Sequence, residues 1–434
     1  MKRVIYRGTV IDPASPKKPD IRKGACVVTE DGVILSVEDR QPEQTEGDTI
    51  VDFGENLIIP AFSDLHIHAP QFAERGIGMD CLLFEWLNRY TFPEEARFRE
   101  RSYAETIYRQ LVRELIRQGT LHLAAFTTIH YEASDLFFRL LEESGLYALA
   151  GKINMDRNSP DYYVEDTARS LADTERFVSE HLPGGRIGGT DRRYSGRVRP
   201  ILIPRFAPTC SGELLHGLGR IGQRYKVGVH THLVESKEEA AWAKELFPQD
   251  GSDGAIYENA GLLGNGPSIF AHVIFPTETE ERILRQYGAY AVHCPDATSN
   301  ITAGIMPAAR LLAGGFPLAL GTDVGGGHFT GVYRQVARAV QISKMKEFYE
   351  PEEKRVAFFE AFYMATAGGG AVFGNAGRIA PGYRFDALVI RDMSDEGTQL
   401  PPEESLERFC YIGDDRDILA RYADGKLLSC DTLS

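Results

Sequence analysis

The chain has 434 residues, 43% of them hydrophobic and 25% charged, which is the make-up of a globular protein with a large core. A formal net charge of -14 disfavours nucleic acid as a partner, because gripping phosphate backbones needs clustered Lys and Arg. Six cysteines without paired spacing or a Cys-x-x-Cys, and no run near the roughly 20 apolar residues of a membrane span, point to a reducing compartment, read here as the cytoplasm.

Residues 1–56 read as short strands broken by turns, KRVIYRGTVI, GACVVTE and GVILSVED, with no long amphipathic helix among them. From Leu57 the pattern changes. Apolar runs at 57–66, 119–128, 146–154, 199–206, 226–232, 267–272, 289–295 and 317–322 alternate with stretches such as YAETIYRQLVRELIRQ, EDTARSLADTERFVSE and KEEAAWAKELF. The apolar residues of those stretches recur at three- and four-residue spacing. Eight strands alternating with helices predict an α/β fold, a (β/α)8 TIM-type barrel over 57–377. After the glycines at 368–370 the chain returns to β signals in FDALVIRD, RFCYIGDDRD and LARYADGKLL. The N-terminal strands are too few to stand alone. Residues 1–56 and 378–434 are therefore expected to build one composite β-sandwich beside the barrel.

A closed parallel barrel gathers its strand ends into one ring, so ligands far apart in sequence can meet there. The first strand delivers His66 and His68, whose i, i+2 spacing puts both imidazoles on one face about 6.5–7 Å apart along the backbone. The fifth ends at His232, the sixth at His272 and the eighth runs into Asp323. A hydrogen-bonded core pair is the bland account of an isolated His-x-His. The accumulation of ligand-type residues at strand ends favours a metal centre. Three imidazoles and a carboxylate suit one Zn²⁺, or Fe²⁺, with a place left for water. Such a water is acidified enough to serve as a nucleophile at neutral pH, and nearby carboxylates can move its proton. Asp323 and Glu235, three residues past His232, are the candidates. Glu235 equally suits the N-terminus of the helix that follows. His272 is placed to hydrogen-bond the water rather than to ligate. His230 reads as a histidine one layer deeper, behind the ligands. His122, His130, His293 and His328 read as structural. The fourth strand ends in Pro204-Arg205-Phe206 with no lysine to bridge a second metal, so one ion per chain is expected.

On HIHAPQF at 66–72, FEWLNRYTFPEEARF at 84–98, IPRFAPTCS at 203–211, HTHLVES at 230–236 and YIGDDRD at 411–417, the chain resembles the amidohydrolase superfamily and, within it, the barrel-type guanine deaminases. The resemblance implies that His66, His68, His232 and Asp323 ligate the metal and that Glu235 shuttles the proton. It also implies that His272 orients the attacking water and that Gln71, Arg205, Phe206 and Trp86 bind a purine. Chemistry agrees: a guanidinium fork matches guanine O6 and N7, an amide donates and accepts at once, and Phe206 offers a stacking face. The implied reaction is hydrolysis of guanine to xanthine and ammonia, with a homodimer as the family's usual assembly. The loop HCPDATSNITAGIMP departs from the family pattern by a short Asp-Ala addition. Another purine or pterin (8-oxoguanine, isoguanine, a pterin, an adenosine-like compound) therefore stands as the alternative, ahead of a barrel scaffold without chemistry. The Gly-rich segment VGGGHFTG after Asp323 reads as close backbone packing rather than phosphate binding.

Overall fold

The computed structural model describes residues 3–185 and 194–429; Cys430 lies outside the described residues. Phe62–His68, Thr120–Phe126, Tyr147–Gly151 and Val198–Pro200 form one parallel half of a barrel. Val229–Leu233, Ser268–His272, Tyr290–His293 and Leu318–Leu320 form the other. A parallel bridge from Leu202 to Val229 joins the halves on one side. On the other, Asp323 N–H donates to His66 O at 2.8 Å and His68 N–H to Val324 O at 2.9 Å, which closes the ring. The fourth strand is broken, resuming at Ile203–Pro204, and prolines at 200 and 204 remove two of its ladder donors. The helices lie where their periodicity predicts. In Arg101–Arg117 the buried residues Ile107, Tyr108, Leu111, Val112, Leu115 and Ile116 make one stripe.

Strands from both ends of the chain share one seven-stranded sheet. Thr49–Pro60 pairs in parallel with Arg3–Asp12 and antiparallel with Ala387–Ile390, and Ile418–Ala423 continues the sheet on that side. Two expectations change. Leu57–Pro60, read as the opening of the first barrel strand, pair with Ala387–Ile390 instead, and the barrel strand begins at Phe62. The apolar run passes from sheet to barrel across Ala61 alone, all of it buried, so hydrophobicity marks no break. RFCYIGDDRD, read as β, supplies the last turns of a helix over Pro402–Ile412 and then a 3-10 turn at Asp415–Asp417. Its buried residues Leu406, Phe409 and Cys410 fall at helical spacing, and Pro402 with Glu403 and Glu404 makes a good first turn.

The sheet is fastened to the barrel by charge. Asp386 accepts from His122 Nε2 and Arg384 Nε, both at 3.0 Å, and from the Asp424 backbone N–H at 2.8 Å. Burial opposes its ionisation, but these donors outweigh that and hold the carboxyl below its usual range. The stabilisation is therefore complete above about pH 4 and is lost as pH falls through the lowered folded value. Removing one partner of such a buried group costs about 3–5 kcal/mol. Asp386→Ala is expected to lower the urea midpoint accordingly, and a midpoint within experimental error of the parent would refute the fastening role.

Candidate metal centre and substrate recess

Every expected site residue sits at the C-terminal ends of the barrel strands or in the segments that follow them. His66 and His68 end the first strand, Arg205 and Phe206 follow the fourth, His232 lies in the fifth and His272 ends the sixth. His272 (φ 73°) and Asp323 (φ 48°) take the left-handed backbone region, uncommon for residues with a Cβ and concentrated at functional sites. Beneath them the eighth strand runs so close to the first that a Cβ on Gly321 would stand 2.9 Å from His66 Cβ. Only glycine fits there.

One ligand atom from each of His66, His68, His232 and Asp323 lies within 4.8 Å of all the others. His68 Nε2 and His232 Nε2 are 3.2 Å apart, and Asp323 Oδ1 is 3.2 Å from His66 Nε2 and 3.5 Å from His68 Nε2. Two donors at Zn–N lengths on a tetrahedral ion stand about 3.3 Å apart. The atoms behind the ligands set their direction. His232 Nδ1 lies 2.6 Å from the carbonyl oxygen of Arg205, which can only accept, so the proton is on Nδ1 and the Nε2 lone pair faces the cluster. His66 Nδ1 meets His230 Nε2 at 2.9 Å, leaving His66 Nε2 buried, turned to the centre and without a hydrogen bond. His230 is thus the brace behind His66. Asp64 ties the eighth strand to the first, accepting from the Thr322 hydroxyl at 2.5 Å and the Thr322 and His66 N–H groups at 3.0 and 3.2 Å.

Burial favours the uncharged form of every group in the centre. It pushes His66 down to about 3 and His68, His232 and His272 well below the ordinary histidine value, so their lone pairs are free for a cation. It also pushes the carboxyls of Asp323 and Glu235 well up, the second further because Asp323 is near. A divalent cation reverses that for Asp323 by pairing its charge. The donor set fits such an ion. His272 stands to one side, its Nε2 3.4 Å from Glu235 Oε1 and 3.8 Å from Asp323 Oδ2, with neither nitrogen hydrogen-bonded.

His68, His232, Glu235 and Asp323 form the floor of a recess of about 490 Å³, open mouth included. Gln71, Trp86, Arg205 and Phe206 line it as well. Trp86 spends its indole N–H on Ile77 O at 3.1 Å and therefore offers the recess an apolar surface only. Phe206 stands edge-on to His232 with ring centroids 6.4 Å apart. The Asp-Ala addition, read as part of a loop, lies in a short helix over Pro295–Asn300, and Ile301 at the end of that helix also reaches the recess.

The model of the amidohydrolase family matches residues 57–428. The chain belongs to the amidohydrolase family. That family is metal-dependent, and this amidohydrolase carries the His/Asp group such a metal needs. It is 32% identical to the guanine deaminase of Dictyostelium discoideum over 97% of both chains. It is 34% identical to that of Homo sapiens over 85% of this chain and 82% of the human one. The solved structure of a guanine deaminase from C. acetobutylicum with guanine bound in the active site superposes with a TM-score of 0.92 at 39% identity, covering 98% of this amidohydrolase and all of that chain. No helix among the described residues is long and apolar enough to cross a membrane.

Three acidic residues of this amidohydrolase, Glu239 in the lining of the recess and Glu95 and Glu74 behind it, were not singled out from the sequence. Glu95, 0% exposed, takes Arg205 Nη1 on one oxygen and Gln71 Nε2 on the other, both at 2.7 Å. Glu74, pushed up to about 8 by burial and by Glu95, accepts from the Thr91 hydroxyl. Glu239 caps the helix after Glu235, accepting from the Glu235 N–H at 2.6 Å. Glu95 lies inside the 84–98 motif, yet nothing local distinguishes it from Glu94 beside it, which bonds to the exposed Arg97 instead.

Proposed function

We propose that this amidohydrolase deaminates guanine, adding water to give xanthine and ammonia. His66, His68, His232 and Asp323 would hold one divalent cation, Zn²⁺ in preference to Fe²⁺. The reading is carried by one observation: a guanidinium almost fully buried in the wall of a recess whose floor is the His/Asp cluster. Arginine can only donate, so it selects a ring edge made of acceptors. Guanine presents O6 and N7 there, whereas adenine presents an amine at the same position. The relatives described above support the same choice of purine.

When bound, the cation supplies a water acidic enough to be deprotonated near neutral pH. Asp323 accepts that water's proton as oxygen adds to C2. Glu235 hands its own proton to the neighbouring ring nitrogen, so that C2 becomes tetrahedral without a free anion on the ring. His272, with both nitrogens free of other bonds, orients the water. Asp323 then gives its proton to the exocyclic amine, which leaves as ammonia, while Glu235 takes the proton of the added hydroxyl as the C2 carbonyl forms and regains its starting acid form. Trp86 and Phe206 cover the ring faces and keep bulk water out.

The test is ammonia release, with loss of guanine absorbance, by purified protein of measured metal content. 8-Oxoguanine, isoguanine and a pterin are assayed in parallel. Guanine is expected to be the best substrate, and a chelator should abolish turnover until Zn²⁺ is restored. Faster turnover of any other base in the panel, or full activity in the metal-free protein, would overturn the proposal.

A further inference from the structure

We propose that Glu95 is a positioning residue that sets the hydrogen-bonding polarity of the recess, making it a reader of a 6-oxo group. The inference rests on the functional reading above for its substrate class. One carboxylate holds two recess-lining side chains at once, Oε1 accepting from Gln71 Nε2 and Oε2 from Arg205 Nη1, each at 2.7 Å. Gln71 is held from its other end as well, because its Oε1 accepts from the Gly325 N–H at 3.0 Å. An amide pinned by a carboxylate on nitrogen and by an N–H on oxygen cannot flip, so the groups it has left for a ligand are fixed in kind.

Arg205 has the same dependence. Burial works against its charge, yet Glu95 more than offsets this and the guanidinium's pKa lies above the usual arginine value. Through the 2.7 Å contact on Nη1, Glu95 fixes which of the five donors of Arg205 is already engaged, leaving the rest of the fork for the ligand. The Phe92 ring, 5.2 Å from the guanidinium carbon, supports it from another side. Glu95 and Phe92 belong to the same short helix, Phe92–Ala96, in the segment between the first and second barrel strands. That segment thus carries specificity without itself supplying a ligand to the metal cluster.

The experiment compares the parent, Glu95→Gln and Glu95→Asp as holoenzymes with equal metal content and with folding checked by melting temperature. Dissociation constants are measured for hypoxanthine, which carries the 6-oxo group but no amine to lose, and for unsubstituted purine. A hydrogen bond from a charged group distinguishes such a pair by roughly ten- to a hundredfold, and the parent is expected to prefer hypoxanthine by that margin. Glu95→Gln should reduce the preference to about threefold or less, and should raise KM for guanine about tenfold or more while kcat moves far less. Glu95→Asp, which keeps the charge, should recover part of both.

A merely structural Glu95 would lower stability or kcat and leave the hypoxanthine-to-purine ratio alone. That result overturns the inference, as does a parent that does not distinguish the two ligands. Should Glu95→Gln fail to fold, the ratio and KM of Glu95→Asp decide, parental values counting against the proposal. A parent that shows the ratio but does not turn over guanine defeats the proposed reaction and leaves the role of Glu95 standing.

Discussion

Glu235→Gln is expected to leave one metal per chain and unchanged affinity for hypoxanthine while cutting turnover of guanine by about 10²- to 10⁴-fold, the range general acid–base groups contribute. Glutamine matches glutamate in size and can still donate a hydrogen bond, but it cannot give up a proton and take it back. The residue lines the recess 3.4 Å from His272 Nε2 and is not one of the four residues, His66, His68, His232 and Asp323, proposed to hold the metal. The loss should therefore appear in kcat rather than in metal content. Elemental analysis beside single-turnover measurement separates the two, and a kcat within threefold of the parent would remove Glu235 from the chemistry.

The second large effect concerns the buried pair of Arg205 and Glu95. Arg205→Met deletes the partner of a carboxylate that is 0% exposed, and leaving one member of a buried pair unmatched costs about 3–5 kcal/mol. Replacing both by apolar residues of similar volume removes the unmatched charge. Arg205→Met with Glu95→Leu should therefore regain most of the stability lost in the single variant, giving a coupling that a double-mutant cycle measures directly. Guanine turnover should stay lost in both, because the group proposed to pair with the acceptor edge is gone. If the double variant is no more stable than Arg205→Met, the pair is not coupled as the 2.7 Å contact implies.

These two residues mark the limits of what can be read along the chain. Strand ends declare themselves, because an apolar run that stops at a histidine or aspartate is visible in one dimension. His66, His68, His232, His272 and Asp323 could be picked out together once the eight apolar runs were counted and four of them were found to end on such residues. The brace of His230 on His66 was half visible: alternation put it on the ligand face one layer down, but its 2.9 Å contact spans 164 positions. Short apolar runs misled in two places. RFCYI is compatible with strand or helix over so few residues, and the helix is decided by the turn begun at Pro402. The run from Leu57 to Phe62 conceals a change of sheet, because burial on both sides of Ala61 leaves no polar residue to mark it.

The sequence by itself determined the barrel, the two chain-end sets of strands, and the kinds of donor that ring its mouth, since periodicity and residue type follow from local physics. Only the tertiary structure decided which carboxylate among the sixty-two acidic residues holds the recess in shape. Glu94 and Glu95 are chemically identical neighbours on one short helix. Folding that segment over the fourth strand buries one against Arg205 and Gln71, whereas the other, less deeply buried, bonds to the exposed Arg97, and a fully buried charge is committed to its partners.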